Sequence, residues 1–332
     1  MALSTIKDVA KLAGVSPGTV SRVLNQSGYC SQTVREAVLS AAKQLDYKPN
    51  SIARSLKKQS TSTIGLILTD ITNPFFAGIA KETEKILSTH GYNLIICNTD
   101  ESAAKERQHL QNLYHRRVDG ILLCTTGQNN DYIKKLVAEG MVIILIDRKY
   151  PDLNLDIILD DNQFGAYLLT KHLIQKGHHR IGLIRGNPGS NATQERQKGF
   201  ARAIQEFDIA QEPELLFEGG GSGEHTMEAV SRIMEMPNRP SAIIALNPLI
   251  AQHAIMALNS LHVEIPKEMA LACFGLEEFK TLYRPSITCI IQRPDLFGFN
   301  AAELLLQRIR DGFHGNSREI VFSPELFEGS SV

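Results

Sequence analysis

Long apolar runs are missing from this chain. None reaches the roughly 18 residues of a membrane-spanning helix. The first residues, Met1-Ala2-Leu3-Ser4-Thr5-Ile6-Lys7-Asp8, have no basic stretch followed by an apolar one, so no secretory signal and no membrane partner are expected. Cysteine is sparse. Cys30, Cys97, Cys124, Cys273 and Cys289 are scattered without a Cys-x-x-Cys pair, which speaks against a disulfide framework and a zinc site and points to a reduced cytoplasm. The glycine-rich Gly219-Gly220-Gly221-Ser222-Gly223 lacks the Gly-Lys-Ser/Thr of a P-loop and reads as a flexible surface loop. Ser190 and Ser222 lie in no Gly-x-Ser-x-Gly elbow, and His172, His178 and His179 have no carboxylate or thiol partners for a metal. No catalytic group, metal or cofactor is expected.

What is present is an ordinary globular composition with a lopsided charge. The 332 residues are 43% apolar and 21% charged, room for two or three domains at about 100–200 residues each. The net charge is −1, yet the first 60 residues hold nine basic side chains against three acids (Asp8, Glu36, Asp46), leaving 26 basic and 33 acidic residues in the remainder. A small basic head on an acidic body suits a polyanionic partner.

The head reads as three short helices. Thr5 caps a helix over Ile6 to Ala13 with Val9, Leu12 and Ala13 on one face; Gly14-Val15-Ser16 turns the chain; Ser16 caps a second helix beginning at Pro17. A third runs roughly from Ser31 to Leu45, with Val34, Val38, Ala41, Ala42 and Leu45 inward. A basic second helix after a glycine turn fits a helix-turn-helix, although a generic three-helix bundle has the same pattern.

Asp8-Val9-Ala10, Ala13-Gly14-Val15-Ser16, Thr19-Val20-Ser21-Arg22-Val23-Leu24-Asn25, Tyr47-Lys48-Pro49-Asn50 and Ala53-Arg54-Ser55-Leu56 together resemble the lactose/galactose-repressor family of bacterial transcription regulators. Matches in the body extend the resemblance over nearly the whole chain. It implies a helix-turn-helix domain over 1–48, a hinge helix and linker over 49–61, and an effector-binding, dimerising body over 62–332. It also implies contact with double-stranded operator DNA by Thr5, Ser16, Thr19, Ser21, Arg22, Asn25, Asn50, Ala53, Arg54 and Leu56, with Leu56 wedged into a minor-groove step. The chemistry agrees for Arg22, whose planar fork suits guanine. Pro17 and Gly18 depart from the family, which often places base-reading side chains there.

From Ile64 onward short apolar runs alternate with amphipathic stretches, the pattern of parallel sheets covered by helices on both faces. The expected fold is therefore an all-α helix-turn-helix head plus an α/β body. The resemblance implies two doubly wound lobes of periplasmic-binding-protein type, the first over about 62–161 and 292–322, the second over about 162–291. Ligands in such sheets lie beyond the carboxyl ends of the strands. Asp70, Asn73, Phe75, Asp147 and Arg148 follow apolar strands, and Arg196 opens a later helix. Family positions implied around the effector cleft are Asn73, Phe75, Asp147, Arg148, Arg196, Asn247 and Gly275.

Pro248 and Gly275 stand where relatives commonly carry carboxylates, while both arginines are kept. That combination favours an anionic effector, a sugar phosphate ahead of a sugar acid, because guanidinium pairs bidentately with such groups. Glu277 or Glu278 could restore negative charge, and a neutral sugar or a purine is the alternative within the family. The reading is a cytoplasmic homodimeric regulator, most simply a repressor. A sugar-metabolising enzyme with a DNA-binding head is the rival from another class; it lacks a visible acid/base pair or phosphate loop.

Overall fold

The structure, a computed structural model, describes residues 4–25, 28–47, 60–210, 212–220, 223–275, 282–312 and 316–332. The chain divides into two compact units, Met1–Thr61 and Ser62–Val332.

In the first unit, α1 spans Ile6–Ala13, α2 Pro17–Leu24 and α3 Gln32–Gln44. Each boundary has a local cause. Thr5 and Asp8 form a reciprocal capping box, and Gly14, at φ 66°, lets the chain leave α1 in a left-handed turn that side chains resist. The Ser16 Oγ accepts from the Thr19 N–H at 3.1 Å, and Pro17 takes a position whose N–H has no partner in a helix. Val9, Ala10, Val20, Val23, Val38 and Ala41, two from each helix, form the buried core.

The second unit holds two six-stranded sheets. Strands β1 (Thr63–Leu68), β2 (Asn93–Asn98), β3 (Gly120–Leu123), β4 (Ile143–Ile146) and β5 (Ile157–Asp160) alternate with α4 (Pro74–Thr89), α5 (Ala103–His115) and α6 (Asn130–Ala138). The second lobe begins with α7 (Asn162–Gln175), β6 (Ile181–Arg185), α8 (Asn191–Glu206), β7 (Leu216–Glu218) and α9 (Gly223–Glu235). It continues through β8 (Ala242–Ala245), α10 (Pro248–Ser260), β9 (Ala270–Phe274) and β10 (Thr288–Ile291). The chain then returns, adding α11 (Pro294–Asp311) and the parallel edge strand β11 (Glu319–Phe322) to the first lobe. It crosses once more to lay β12 (Glu325–Phe327) antiparallel to β10.

The strand orders are β2-β1-β3-β4-β5-β11 and β7-β6-β8-β9-β10-β12. Both reverse direction beside their first strand, at β1/β3 and β6/β8, which opens a crevice at the carboxyl ends of each sheet. Strands such as Ile64–Leu68 and Ala270–Phe274 are buried throughout, as sheets covered on both faces require. Helices α7 and α8 approach so closely that a Cβ on Gly199 would lie 2.0 Å from the Gln163 carbonyl oxygen.

Several elements escape the sequence pattern. Helix α6 has only nine residues and two buried apolar positions, Ile133 and Leu136. Helix α9 starts inside the glycine-rich run, where helix propensity is lowest. Strand β7 begins only at Leu216, because Pro213 starts a 3₁₀ turn through Leu215. Strands β11 and β12 are short edges with no fully buried residue and so carry little hydrophobic signal. Among the described residues no helix is long and apolar enough to cross a membrane.

Candidate ligand cleft and nucleic-acid interface

The two crevices face one another across a cavity of about 430 Å³, within the roughly 300–1,000 Å³ of small-molecule sites. From the first lobe it is lined by Thr69, Asp70, Thr72, Asn73, Phe75 and Phe76 at the β1–α4 junction and by Asp147 and Arg148 after β4. From the second come Gly186, Asn187 and Ser190 after β6, Arg196 of α8, and Asn247 and Pro248 after β8. The cleft thus brings together Asn73, Phe75, Asp147, Arg148, Arg196 and Asn247 of the expected set.

Two of these also shape the backbone. Asn73 and Asn247 cap α4 and α10, accepting from the N–H groups of Phe75 at 3.1 Å and Ile250 at 2.8 Å. Asp70 lines the cleft while its Oδ1 accepts from the N–H and hydroxyl of Thr72, closing a turn. Gly275 does not line the cleft. It lies behind it with φ 82°, where a Cβ would stand 2.6 Å from Pro248 and 2.7 Å from Gln292 Oε1, so its glycine preserves the packing of two residues that do. Glu277 and Glu278 lie outside the described residues.

The arginines are held differently from the sequence expectation. A regular strand turns consecutive side chains to opposite faces; the left-handed backbone of Asp147 (φ 68°) lets both Asp147 and Arg148 line the cleft. Arg148 is buried and donates through Nη1 and Nη2 to the two carboxylate oxygens of Glu101, at 2.8 and 2.5 Å. Arg196 is no solvated helix residue: it is 7% exposed, stacked 3.8 Å over the Phe274 ring. Its Nε donates to Asn162 Oδ1 and its Nη1 to the Leu246 carbonyl. Among the described residues, Nη2 is the donor that remains.

Carboxylates surround this pair. Burial raises the pKa of Asp147, while Arg196 and Arg148 pull it back down, and its Oδ1 is buried without a hydrogen-bond partner. Asp160, at the end of β5, accepts from Gln292 Nε2 at 2.9 Å, and burial pushes its pKa up to about 7. The argument for an anionic effector rested on arginines short of acidic partners. Glu101 and Asp147 correct that premise: two carboxyl groups stand against the two guanidinium groups, with Asp160 close to Arg196 as a third acid.

Sequence reasoning also missed Glu101, Asn187, Gln292 and the glycine-rich run as parts of the site. Gly219, Gly220 and Gly223 line the cleft instead of forming a remote surface loop. A Cβ on Gly219 would meet Ile184 at 2.4 Å, and one on Gly220 would meet the Asn187 nitrogen at 2.9 Å. The signal was available: Glu101, Gly219 and Gln292 each follow closely on the carboxyl end of a strand, the rule that selected Asp70.

In the first unit, Pro17, Gly18, Arg22 and Asn25 are exposed along one side of α2, with Thr19 and Ser21 half-buried. The hydroxyls of Thr5, Ser16 and Thr19 are engaged in helix caps, and the Asn25 amide donates to the Ser21 carbonyl at 2.8 Å. Arg22 has no hydrogen bond or ion pair among the described residues, which leaves its fork available. Asn50, Ala53, Arg54 and Leu56 lie outside the described residues.

A helix-turn-helix unit and a two-lobed ligand cleft in one chain define the class of ligand-responsive DNA-binding regulators. Residues 5–50 match the model of "Bacterial regulatory proteins, lacI family", and residues 61–325 that of "Periplasmic binding proteins and sugar binding domain of LacI family". The chain is 36% identical over 333 residues to the HTH-type transcriptional repressor PurR of Haemophilus influenzae (strain PittEE), covering 99% of both proteins. It superposes on the transcriptional regulator CelR in complex with cellobiose with a TM-score of 0.74 and 26% identity, over 99% of this chain and 100% of the other. Against the lac repressor dimer bound to operator and the anti-inducer ONPF the TM-score is 0.87 at 22% identity, over 99% of each chain, a likeness of fold. The chain belongs to the LacI family and is a DNA-binding transcriptional repressor.

Proposed function

We propose that this repressor is homodimeric, acts in the cytoplasm, and is controlled by an uncharged ligand rich in hydrogen-bonding groups, a sugar or a purine-like heterocycle, held in the interlobe cleft. Residues 1–58 supply the DNA contacts, with Arg22 of α2 reading a base edge and Leu56 acting at the minor groove.

One observation carries the choice of ligand. The buried Asp147 Oδ1 lacks a donor, and Arg196 keeps Nη2 as a donor. A ligand presenting an O–H or N–H beside an acceptor oxygen or nitrogen answers both at once, and a buried polar atom left unanswered costs about 1–3 kcal/mol. A phosphate offers acceptors to Arg196, yet it meets Asp147 with further negative charge.

Calorimetry with matched neutral and phosphorylated sugars, together with purine bases, tests this. The expected result is that a neutral ligand binds the wild type more tightly than its phosphorylated counterpart and that Asp147→Ala or Arg196→Ala abolishes the heat. Tighter binding of the phosphorylated ligand would restore the anionic sugar derivative favoured by the sequence.

A further inference from the structure

Glu101 is held with unusual care for a loop residue. It lies between β2 and α5, where both Asp100 and Glu101 adopt left-handed backbone, φ 50° and 58°. Such conformations are costly for side-chain-bearing residues. Here they are stabilised by Asp100, which accepts from Asn98 and Lys105, and by Ser102, whose side chain caps α5. The result aims the Glu101 carboxylate into the cleft. Both oxygens accept from Arg148 in the same lobe, and Oε2 also receives the Asn187 amide of the opposite lobe at 3.4 Å.

Fork-to-fork pairing of this kind is the geometry with which arginine takes up a ligand's carboxylate or phosphate. Arg148 is 5% exposed, and its remaining Nε is buried beside Asp147 Oδ2 at 3.9 Å. Its anion-recognising edge is therefore already filled.

We infer that Glu101 is the residue that sets the charge selectivity of the cleft: it is a built-in anion on Arg148 that excludes carboxylate and phosphate groups from the site. This rests on the uncharged-ligand reading and names the side chain that enforces it. An incoming phosphate has to displace a carboxylate that is tethered to the protein and held by both lobes. The tether makes the local concentration of the internal anion far higher than that of a free one. Removing the Glu101 carboxylate leaves Arg148 buried, charged and short of a bidentate partner, which a small anion can replace.

The test uses inorganic phosphate as the probe on the full chain, read by calorimetry and by the phosphate dependence of the melting temperature. Wild type is expected to show no stabilisation at millimolar phosphate beyond that of a chloride control at equal ionic strength. Glu101→Ala should bind phosphate about ten- to a hundredfold more tightly than wild type, the worth of one charge-assisted pairing. Glu101→Gln, which keeps the shape and loses the charge, should show a smaller gain and serves if the alanine variant melts before it can be titrated. The double variant Glu101→Ala/Arg148→Ala should lose the gain, which places the anion on Arg148. Equal phosphate binding by wild type and both single variants overturns the inference, as does a gain that survives loss of Arg148. If wild type excludes phosphate and the variants still do, Glu101 is not the selector, while the uncharged-ligand reading stands.

Discussion

Asp160, bonded to the cleft residue Gln292, shows how much a single side chain depends on its surroundings. Burial pushes its pKa to about 7 from the ordinary 3.8, against the pull of the Gln292 amide and the Arg196 charge, with Asp147 reinforcing the rise. Between those two values the folded protein holds a proton that the unfolded chain has released. Stability from protonated Asp160 is therefore complete below about pH 4, falls as the pH climbs, and is lost above about pH 7. Asp160→Asn keeps an acceptor for Gln292 and removes the titration. The variant should unfold at higher denaturant than wild type at pH 8, by up to about 4 kcal/mol, with the difference vanishing near pH 4. Denaturant melts at several pH values measure this; a pH-independent difference would mean that the proton is not the cause. Glu106 shows the opposite solution for a buried acid. It is fully buried with no ion pair among the described residues, yet it accepts from the Thr125 hydroxyl, the Thr126 N–H and the Asn129 amide, so three donors answer its carboxyl group.

At the scale of elements, α2 and the strand ends divide the work. Helix α2 is short, and its position rests on Val20 and Val23 packing into the three-helix core, which leaves the opposite side exposed. With Pro17 and Gly18 unable to reach a base edge through a side chain, Arg22 carries a large share of any base reading from that side. Arg22→Ala should cost about 1–3 kcal/mol on an operator selected from random sequence and relax preference at one base pair. Binding to unrelated DNA should fall far less, because phosphate contacts by the other basic residues remain. Gel-shift titrations at one fixed salt concentration compare the two; equal losses would reduce Arg22 to a phosphate contact. In the body the corresponding work is done by junctions. Each lobe uses its sheet as a rigid platform and places polar residues at the reversal points β1/β3 and β6/β8, so the cleft inherits its geometry from buried strands.

At the scale of the molecule, the chain crosses between the lobes three times, after β5, β10 and β11. Two of the crossings are stitched together by the bond from Gln292 to Asp160. Gln292 lines the cleft, so ligand occupancy touches one of these crossings directly. For the proposed base reading by one short helix per chain, two-fold pairing is the simplest source of specificity, since a dimer spans two half-sites. Light scattering at micromolar concentration should give a mass near twice the 36.8 kDa of one chain; a mass near four chains would refute the dimer.

The features decided by neighbours in sequence were legible from sequence. Helix starts at Ser16 and Ser31, the left-handed exit at Gly14 and the alternation of strands and helices follow from caps, glycine freedom and hydrophobic period, all of which act within a few residues. Arg148 and Arg196 could be picked out because one follows a strand and the other opens a helix, and because the family resemblance implies both positions at the cleft. Their partners could not. Glu101 pairs with Arg148 across 47 positions of sequence, and Gln292 reaches Asp160 across 132. Their places after strand ends mark Glu101 and Gly219 as candidates, but nothing local tells which cation Glu101 meets or what Gly219 packs against. Charge in a cleft is a sum over groups delivered by separate strand ends, and it is set only when the sheets have closed. Sequence alone determined the class of protein and the strand ends that meet at the cleft; tertiary structure decided which counter-charges its arginines meet, because in a buried pocket the nearest counter-charge outweighs every residue beside it in the chain.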